Sequence, residues 1–138
     1  MKKLFIDTNI IIDLLAKREP FYDEAALLFT LADKQKICLT VSALTFANTN
    51  YILLQSKKSE EAKLILRKLK LILQVLNLDE KIVGLALNDN NFKDFEDALQ
   101  YFTAIENEID IIITRNLKDF QKAKLPVMTA SQFLKTIK

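Results

Sequence analysis

Four aspartates stand beside apolar runs in a way that could gather them at one place in a fold: Asp7, Asp94, Asp97 and Asp119. Asp7 directly follows an apolar run at residues 4–6, and Asp119 comes soon after a second run at residues 111–113. Open α/β sheets build their sites at the carboxyl ends of buried strands, so these two carboxylates could share a crevice. Carboxylate oxygens are ligands that Mg²⁺ prefers, together with water and phosphate oxygens. The pattern therefore indicates a metal centre that acts on phosphates.

Asp94 and Asp97 have two interpretations, because both lie at the predicted start of an amphipathic helix that extends to about Glu108. As structural residues, Asp94 would be the N-cap and Asp97 the acid of a capping box. As functional residues, carboxylates three positions apart on a helix share one face and can converge on a cation. The helix by itself favours the structural interpretation.

Asp7 also has a structural alternative. The short polar side chains of Thr8 and Asn9 predict a turn and the cap of a helix from Ile10 to about Lys17. Asp7 could then serve only as a cap of that helix. The functional interpretation gains from the second strand, which also ends in polar residues, beginning at Thr114.

The composition excludes several kinds of catalytic site. The chain has no histidine, so it cannot hold an imidazole base, a Ser-His arrangement or a histidine zinc site. Gly84 is the only glycine, which excludes the glycine-rich phosphate loop and the dinucleotide fingerprint. Cys38 is the only cysteine and cannot form an internal disulfide. Acid and base chemistry must therefore come from carboxylates.

The charges are nearly balanced over the chain but concentrated locally. Lysine and arginine number 20 and the acids 18, giving a formal net charge of +2. Within the basic segment 57–70, we predict that Lys63, Arg67 and Lys68 bind nucleic-acid phosphates, with a solvated helix face as the alternative. No apolar stretch is long enough to span a bilayer and no signal peptide is evident, so we expect a cytoplasmic protein without membrane contact.

Strands and helices alternate along the chain. The predicted strands lie at 4–6, 37–41, 74–78, 110–114 and 126–128. The predicted helices lie at 10–17, 25–34, 43–55, 59–73, 79–87, 94–108 and 130–137. This alternation predicts a parallel sheet with helices on both faces. In the third helix, the stripe expected to face the core, beside Asn48, consists of Leu44, Ala47, Tyr51 and Leu54.

Four stretches, taken in their order and spacing, make the chain resemble the PIN domain family: residues 4–9, the Val41-Ser42 strand end, residues 94–100 and residues 113–120. The resemblance covers nearly the whole chain. It implies one PIN-like domain, residues 1–138, folded as an α/β/α sandwich with a central parallel sheet. It also implies a ribonuclease of the VapC-like toxin type that requires Mg²⁺ or Mn²⁺. Such toxins act on RNA, pair with an antitoxin protein and are commonly homodimers.

The resemblance further implies roles for individual residues of this chain. It places metal ligands at Asp7, Asp97 and Asp119, and the chemistry of the acids themselves adds Asp94 as a further metal ligand. It assigns Thr8 and Thr114 to catalysis with them, because their hydroxyls could orient water or the attacking group. The mechanism expected from this set is hydrolysis of a phosphodiester bond by water that the cation activates.

Two asparagines stand where the family usually has acids. Asn48 replaces a glutamate, and Asn116 occupies the position directly after the Thr-Arg pair. Both are expected to support the site as polar residues, while Asp119 serves the end that Asn116 leaves without charge. Fewer negative charges predict weaker metal binding.

Two alternatives from other functional classes remain open. The asparagines at 48 and 116 would also suit a degenerate PIN-like module that binds RNA or a partner with little or no catalysis. A receiver-like or phosphatase-like domain also places an aspartate after its first strand. That second alternative is less favoured, because Asp7 lacks a second aspartate two positions on and no strand-end lysine is evident.

Overall fold

A five-stranded parallel sheet in the order β3-β2-β1-β4-β5 runs through residues 1–137, which the computed structural model describes. The strands are β1 Lys3–Ile6, β2 Cys38–Ser42, β3 Gln74–Leu76, β4 Ile111–Ile113 and β5 Val127–Met128. Central strand β1 pairs in parallel with β2 and with β4. The carboxyl ends of these three strands therefore lie side by side. Lys138, the last residue of the predicted domain, lies outside the described residues.

Seven α-helices join the strands within residues 1–137: α1 Thr8–Leu15, α2 Tyr22–Asp33, α3 Ala43–Leu53, α4 Ser59–Lys70, α5 Glu80–Asn88, α6 Phe95–Glu106 and α7 Ala130–Thr136. A short 3₁₀ helix, Leu117–Phe120, follows β4. None of the helices in this described part of the chain is long and apolar enough to cross a membrane.

Both faces of the sheet are covered. Successive residues of a strand point to opposite faces, and the residues of β1 divide accordingly between two apolar clusters. Leu4 and Ile6 pack in one cluster with residues of α1, α2, α4 and α7. Phe5 packs in the other with residues of α5 and α6. The predicted α/β/α sandwich with a central parallel sheet is confirmed.

The start of α1 differs from the sequence prediction. The helix begins at Thr8, and Asp7 is its N-cap, with Asp7 Oδ1 accepting a hydrogen bond of 2.7 Å from the Thr8 N–H. The prediction that Thr8 and Asn9 cap a helix from Ile10 is therefore wrong. The carboxylate of Asp7 satisfies a free N–H group at the helix start, so the helix can begin directly after the strand.

The predicted inward stripe of α3 is also wrong, except for Leu44, which packs against the core. Tyr51 is 70% exposed and Leu54 is 45% exposed, whereas Thr45 and Thr49 are buried. The buried hydroxyls are satisfied: Thr49 donates to the Thr45 carbonyl at 2.7 Å, and the Gln100 side chain donates to the Thr45 hydroxyl at 3.0 Å. Buried polar groups with such partners cost little, so α3 can turn its threonine face inward and leave Tyr51 at the surface.

Candidate functional site

A crevice of about 520 Å³ opens where β1 and β4 end. Its walls come from the start of α1, from α3, from the start of α6 and from the segment after β4. Among its lining residues are most of those predicted from the sequence: Asp7, Thr8, Asn48, Asp94, Asp97, Asn116 and Asp119. The parallel sheet thus brings together residues from both ends of the chain.

Asp7 is fixed in the crevice by contacts on both carboxylate oxygens. Oδ1 accepts from the Thr8 N–H, and Oδ2 accepts from the Thr114 hydroxyl at 2.9 Å. The same hydroxyl accepts from the Asn116 N–H at 3.0 Å, which ties the strand end of β4 to Asp7. Burial raises the pKa of Asp7, and the hydrogen bonds from Thr114 and Thr8 act in the opposite direction. Asp7 is therefore a carboxylate of fixed orientation.

Asp97 lies among other carboxylates. Burial, followed by the charges of its acidic neighbours, raises its pKa from 3.8 to about 7. These neighbours, in decreasing order of effect, are Asp94, Asp119, Asp7 and Glu96. Crowded carboxylates favour protonation or a bound cation, because either one relieves their mutual repulsion. The electrostatics of the crevice therefore suit a cation.

The start of α6 combines the two interpretations that the sequence left open. Asp94 is the N-cap, and its Oδ1 accepts from the Glu96 N–H at 2.9 Å. Because this bond goes to Glu96, the predicted capping box with Asp97 is wrong. Asp97 instead lines the crevice. Asp94 thus begins the helix, and both acids line the crevice.

Asn48 makes a direct contact with Glu96 across the crevice. Its Nδ2 donates to Glu96 Oε1 at 3.0 Å, joining α3 to the first turn of α6. An ionised carboxylate can only accept, so the amide nitrogen must face Glu96. Glu96 lines the crevice but was not among the predicted site residues.

The donor set of the crevice fits a hard divalent cation. Its ligands would be carboxylate and amide oxygens, and the buried oxygens Thr8 Oγ1 and Asn9 Oδ1 have no hydrogen-bond partner in the described structure. Within residues 1–137, no three His, Cys, Asp or Glu side chains are grouped closely enough to hold a metal by themselves. Mg²⁺ does not require such a group, because it keeps several waters and takes one or two carboxylates plus substrate phosphates.

Comparison with known proteins agrees with this geometry. Residues 3–118 match the sequence profile described as the PIN domain. The chain belongs to the PIN domain family. This PIN domain is 29% identical over 138 residues to Ribonuclease VapC1 of Aquifex aeolicus (strain VF5), an alignment that covers 96% of this chain and 93% of the relative. The predicted PIN and VapC-like resemblance is confirmed.

Solved structures share the fold of this PIN domain. VapBC-1 from nontypeable Haemophilus influenzae superposes with a TM-score of 0.68 at 22% identity, covering 94% of this chain and 98% of the other. A toxin-antitoxin complex from Klebsiella pneumoniae gives a TM-score of 0.65 at 24% identity, covering 92% of this chain and 97% of the other.

The receiver-like alternative is wrong, because receiver sheets have the order 2-1-3-4-5 and this sheet has the order 3-2-1-4-5.

The basic residues predicted to hold nucleic acid lie apart from the crevice of this PIN domain. Lys63, Arg67 and Lys68 are exposed on α4, and Lys68 borders an apolar groove between α1 and α4. A different group of basic residues lines a hollow of about 350 Å³, and this group consists of Lys93, Lys118 and Lys122. We call these three residues the rim lysines. The hollow shares Asp94, Asp97 and Asp119 with the crevice.

Several residues of the crevice were missed by the sequence reasoning. Arg18, Tyr51 and Glu96 all line it. Tyr51 belongs to the stripe that the sequence predicts to face the core, and Arg18 lies in the loop after α1, where no motif marks it. The adjacency of Glu96 to Asp97, and of Lys118 to Asp119, was the available signal. In both pairs, the neighbour of a predicted metal ligand borders the same opening as the ligand itself.

An ion pair between the buried Asp13 and the half-buried Arg115 supports the strand end of β4. Arg115 Nε donates to Asp13 Oδ2 at 2.8 Å, and a second guanidinium nitrogen donates to Oδ1 at 3.2 Å. The guanidinium carbon lies 4.2 Å from the centre of the Phe21 ring. Because Arg115 lies between Thr114 and Asn116, this pair anchors the segment that contacts Asp7 to the body of α1.

Proposed function

We propose that this PIN domain is a metal-dependent endoribonuclease that hydrolyses RNA phosphodiester bonds and is the toxin of a toxin–antitoxin pair. The observation that carries the proposal is the crowding of Asp97 by four other carboxylates in one crevice. A nuclease needs such a concentration of hard ligands, whereas a protein that only binds RNA gains nothing from negative charge facing its ligand. The relative named Ribonuclease VapC1 supports the same activity.

Asp7 and Asp97 are the residues proposed to hold Mg²⁺ or Mn²⁺, with Asp94 and Asp119 completing the acidic surroundings. When bound, the cation supplies the Lewis acidity that activates water and neutralises charge on the leaving oxygen. The metal would also offset the repulsion around Asp97, so that its carboxyl group stays ionised at neutral pH. The chain itself provides fixed ligands and needs no histidine.

The neighbouring residues position this machinery. The Thr114 hydroxyl donates to Asp7 Oδ2 and so sets the orientation of that carboxylate. Thr8 and Asn9 contribute buried oxygens that can accept hydrogen bonds from ordered water. The rim lysines lie beside the same acids and can neutralise RNA phosphates that flank the scissile bond.

A cleavage assay tests this function. The purified chain is incubated with structured and single-stranded RNA in Mg²⁺ or Mn²⁺, and with chelator as the control. We expect cleavage by the wild type and loss of at least about 1000-fold in Asp7→Asn, equivalent to about 4 kcal/mol of transition-state stabilisation. Asparagine also caps helices, so α1 should persist. Asp33→Asn, which changes an exposed aspartate at the end of α2, is the matched control.

A catalytically weak RNA-binding or partner-binding module is the second candidate. It is favoured by Asn48 and Asn116, which stand where the family usually has acids. RNA binding with no cleavage in excess Mn²⁺, and with equal affinity in the wild type and in Asp7→Asn, would replace the nuclease proposal with this one.

The remaining proposals concern organisation. A single domain over residues 1–138, an antitoxin partner, a homodimer and a cytoplasmic location all stay predictions. The likeness to a toxin-antitoxin complex from Klebsiella pneumoniae supports the antitoxin proposal. Light scattering on the purified chain would measure its oligomeric state.

A further inference from the structure

We infer that Glu96 and Asn48 form one functional unit, in which Glu96 supplies the negative charge that the family usually places at position 48. The inference rests on the proposed metal-dependent function and names a further residue of that site. In this unit Asn48 is a positioning residue, and Glu96 provides the carboxylate.

The contact between the two side chains carries the inference. Asn48 Nδ2 donates to Glu96 Oε1 at 3.0 Å, and both residues line the crevice that contains Asp7 and Asp97. Glu96 is otherwise exposed in the first turn of α6, where a free glutamate would sample many rotamers in solvent. The bond to α3 holds one carboxylate oxygen against the crevice wall instead.

The charge of Glu96 acts within the acidic cluster. Glu96 and Asp97 both belong to the first turn of α6, and both line the crevice together with Asp7, Asp94 and Asp119. A cation bound to Asp97 in this crevice would also be attracted by the carboxylate of Glu96, because opposite charges interact over several ångströms. The crevice thus contains more negative charge than positions 7, 48, 97 and 116 alone indicate.

The residue type at position 48 depends on position 96. A glutamate at position 48 would place a second carboxylate in hydrogen-bond contact with Glu96, where like charges raise each other's pKa. Asparagine avoids that repulsion and donates a hydrogen bond. The asparagine therefore marks a transfer of the acid from α3 to α6, and the site keeps its charge.

Metal binding without RNA tests the inference directly. Mn²⁺ titration of the full chain by calorimetry is compared for the wild type, Asp7→Asn and Glu96→Gln. Glu106→Gln is the matched control, because Glu106 belongs to the same helix but pairs with Lys81 outside the crevice. We expect Glu96→Gln to weaken Mn²⁺ binding roughly 10- to 100-fold, the range for groups that support metal ligands. Glu106→Gln should bind like the wild type.

A charge-swap variant separates charge from packing. Asn48→Glu combined with Glu96→Gln keeps the net charge and allows the hydrogen bond in the reverse direction. We expect this double variant to recover most of the Mn²⁺ affinity lost in Glu96→Gln. Recovery would exclude a purely structural role for Glu96, because the carboxylate would then act from either helix.

Different results would overturn the role of Glu96 and the proposed metal-dependent function. Unchanged Mn²⁺ affinity in Glu96→Gln, alongside weakened binding in Asp7→Asn, would overturn the role of Glu96 and leave the metal-dependent function standing. Failure of the swap to recover affinity would overturn the exchange between positions 48 and 96. No Mn²⁺ binding by the wild type, or binding that Asp7→Asn does not alter, would overturn both the inference and the proposed function.

Discussion

Asp13 and Asp97 are two aspartates in opposite electrostatic situations. Asp13 is 1% exposed, yet both of its oxygens accept from the guanidinium of Arg115. Asp97 is less buried, but its neighbours are carboxylates, and its pKa rises to about 7. The first aspartate is compensated within the chain, whereas the second is surrounded by charges of its own sign.

The two aspartates therefore differ in what they contribute: the pair of Asp13 with Arg115 fixes local structure, whereas the crowded carboxylates around Asp97 do not stabilise the fold. A buried charge with a bidentate partner fixes local structure, and breaking the pair leaves an uncompensated charge. Crowded like charges destabilise the folded chain and persist where an activity requires them. The ion pair and the crevice meet at the segment after β4, because Arg115 is flanked by Thr114 and Asn116. The pair of Arg115 and Asp13 thus fixes the segment that contacts Asp7 and borders the crevice.

Removing the partner of Asp13 should give the largest change in stability. Arg115→Met leaves the Asp13 carboxylate buried without a cation, and we expect a loss of about 3 kcal/mol of unfolding free energy, measured by urea denaturation. Arg67→Met, at an exposed position of α4, should change stability by less than about 0.5 kcal/mol. Equal stability of Arg115→Met and the wild type would contradict the anchoring role of the pair.

Removing the charge of Asp97 should change stability in the opposite direction, making the folded chain more stable. In the folded chain the pKa of Asp97 is raised from 3.8 to about 7. A group with a raised folded-state pKa contributes stability below its unfolded pKa and loses that contribution as the pH rises through the folded value. Asp97→Asn cannot ionise, so in metal-free buffer its Tm should exceed that of the wild type by a few degrees at about pH 8.

The same variant has a built-in control. The advantage of Asp97→Asn should shrink toward about pH 5, where the carboxyl group of the wild type becomes protonated. Added Mg²⁺ should raise the Tm of the wild type more than that of the variant, because ligands stabilise the state that binds them. A Tm difference that is independent of pH would show that Asp97 is not held near like charges.

The smallest expected effect concerns the two basic groups. In an Asp7→Asn background, which prevents cleavage, the rim lysines are changed together to glutamine, and RNA affinity is measured over a range of salt concentrations. We expect the log–log salt slope to fall by up to about 2 units if all three contact single-stranded RNA. The matched triple change at Lys63, Arg67 and Lys68 should alter the slope less. A larger fall in the slope for the triple change at Lys63, Arg67 and Lys68 than for the rim lysines would show that RNA binds at α4.

Much of the fold could be predicted because its strongest signals are local. The apolar runs of β1 and β4, the alternation of strands and helices, and the Ser42 cap of α3 all follow from neighbouring residues. The face of α3 could not be predicted in this way. It depends on Gln100, which bonds Ser42 from a position 58 residues away. That partner makes it possible to bury threonines in place of Tyr51.

The site was predictable to the same depth. Strand ends and helix starts mark Asp7, Asp97 and Asp119 as residues that a parallel sheet can gather, and the structure brings them to one crevice. The role inferred for Glu96 depends on its contact with Asn48, and no local pattern reports a contact between α3 and α6. Of the rim lysines, Lys93 and Lys118 are next to Asp94 and Asp119 in sequence, so adjacency could have indicated them, whereas Lys122 borders the acids only through the packing of the folded chain.

The hydrogen bond between Thr114 and Asp7 can form only late in the synthesis of the residues described here. It spans 107 residues of sequence, and a chain leaves the ribosome from its amino end. Asp7 therefore emerges long before the residues that orient it and before Asp119. A nascent chain that has not reached Asp119 contains only part of the acidic centre while it is still attached to the ribosome, which is itself made largely of RNA. The late position of β4 in the sequence thus delays the assembly of the centre until that strand has been synthesised.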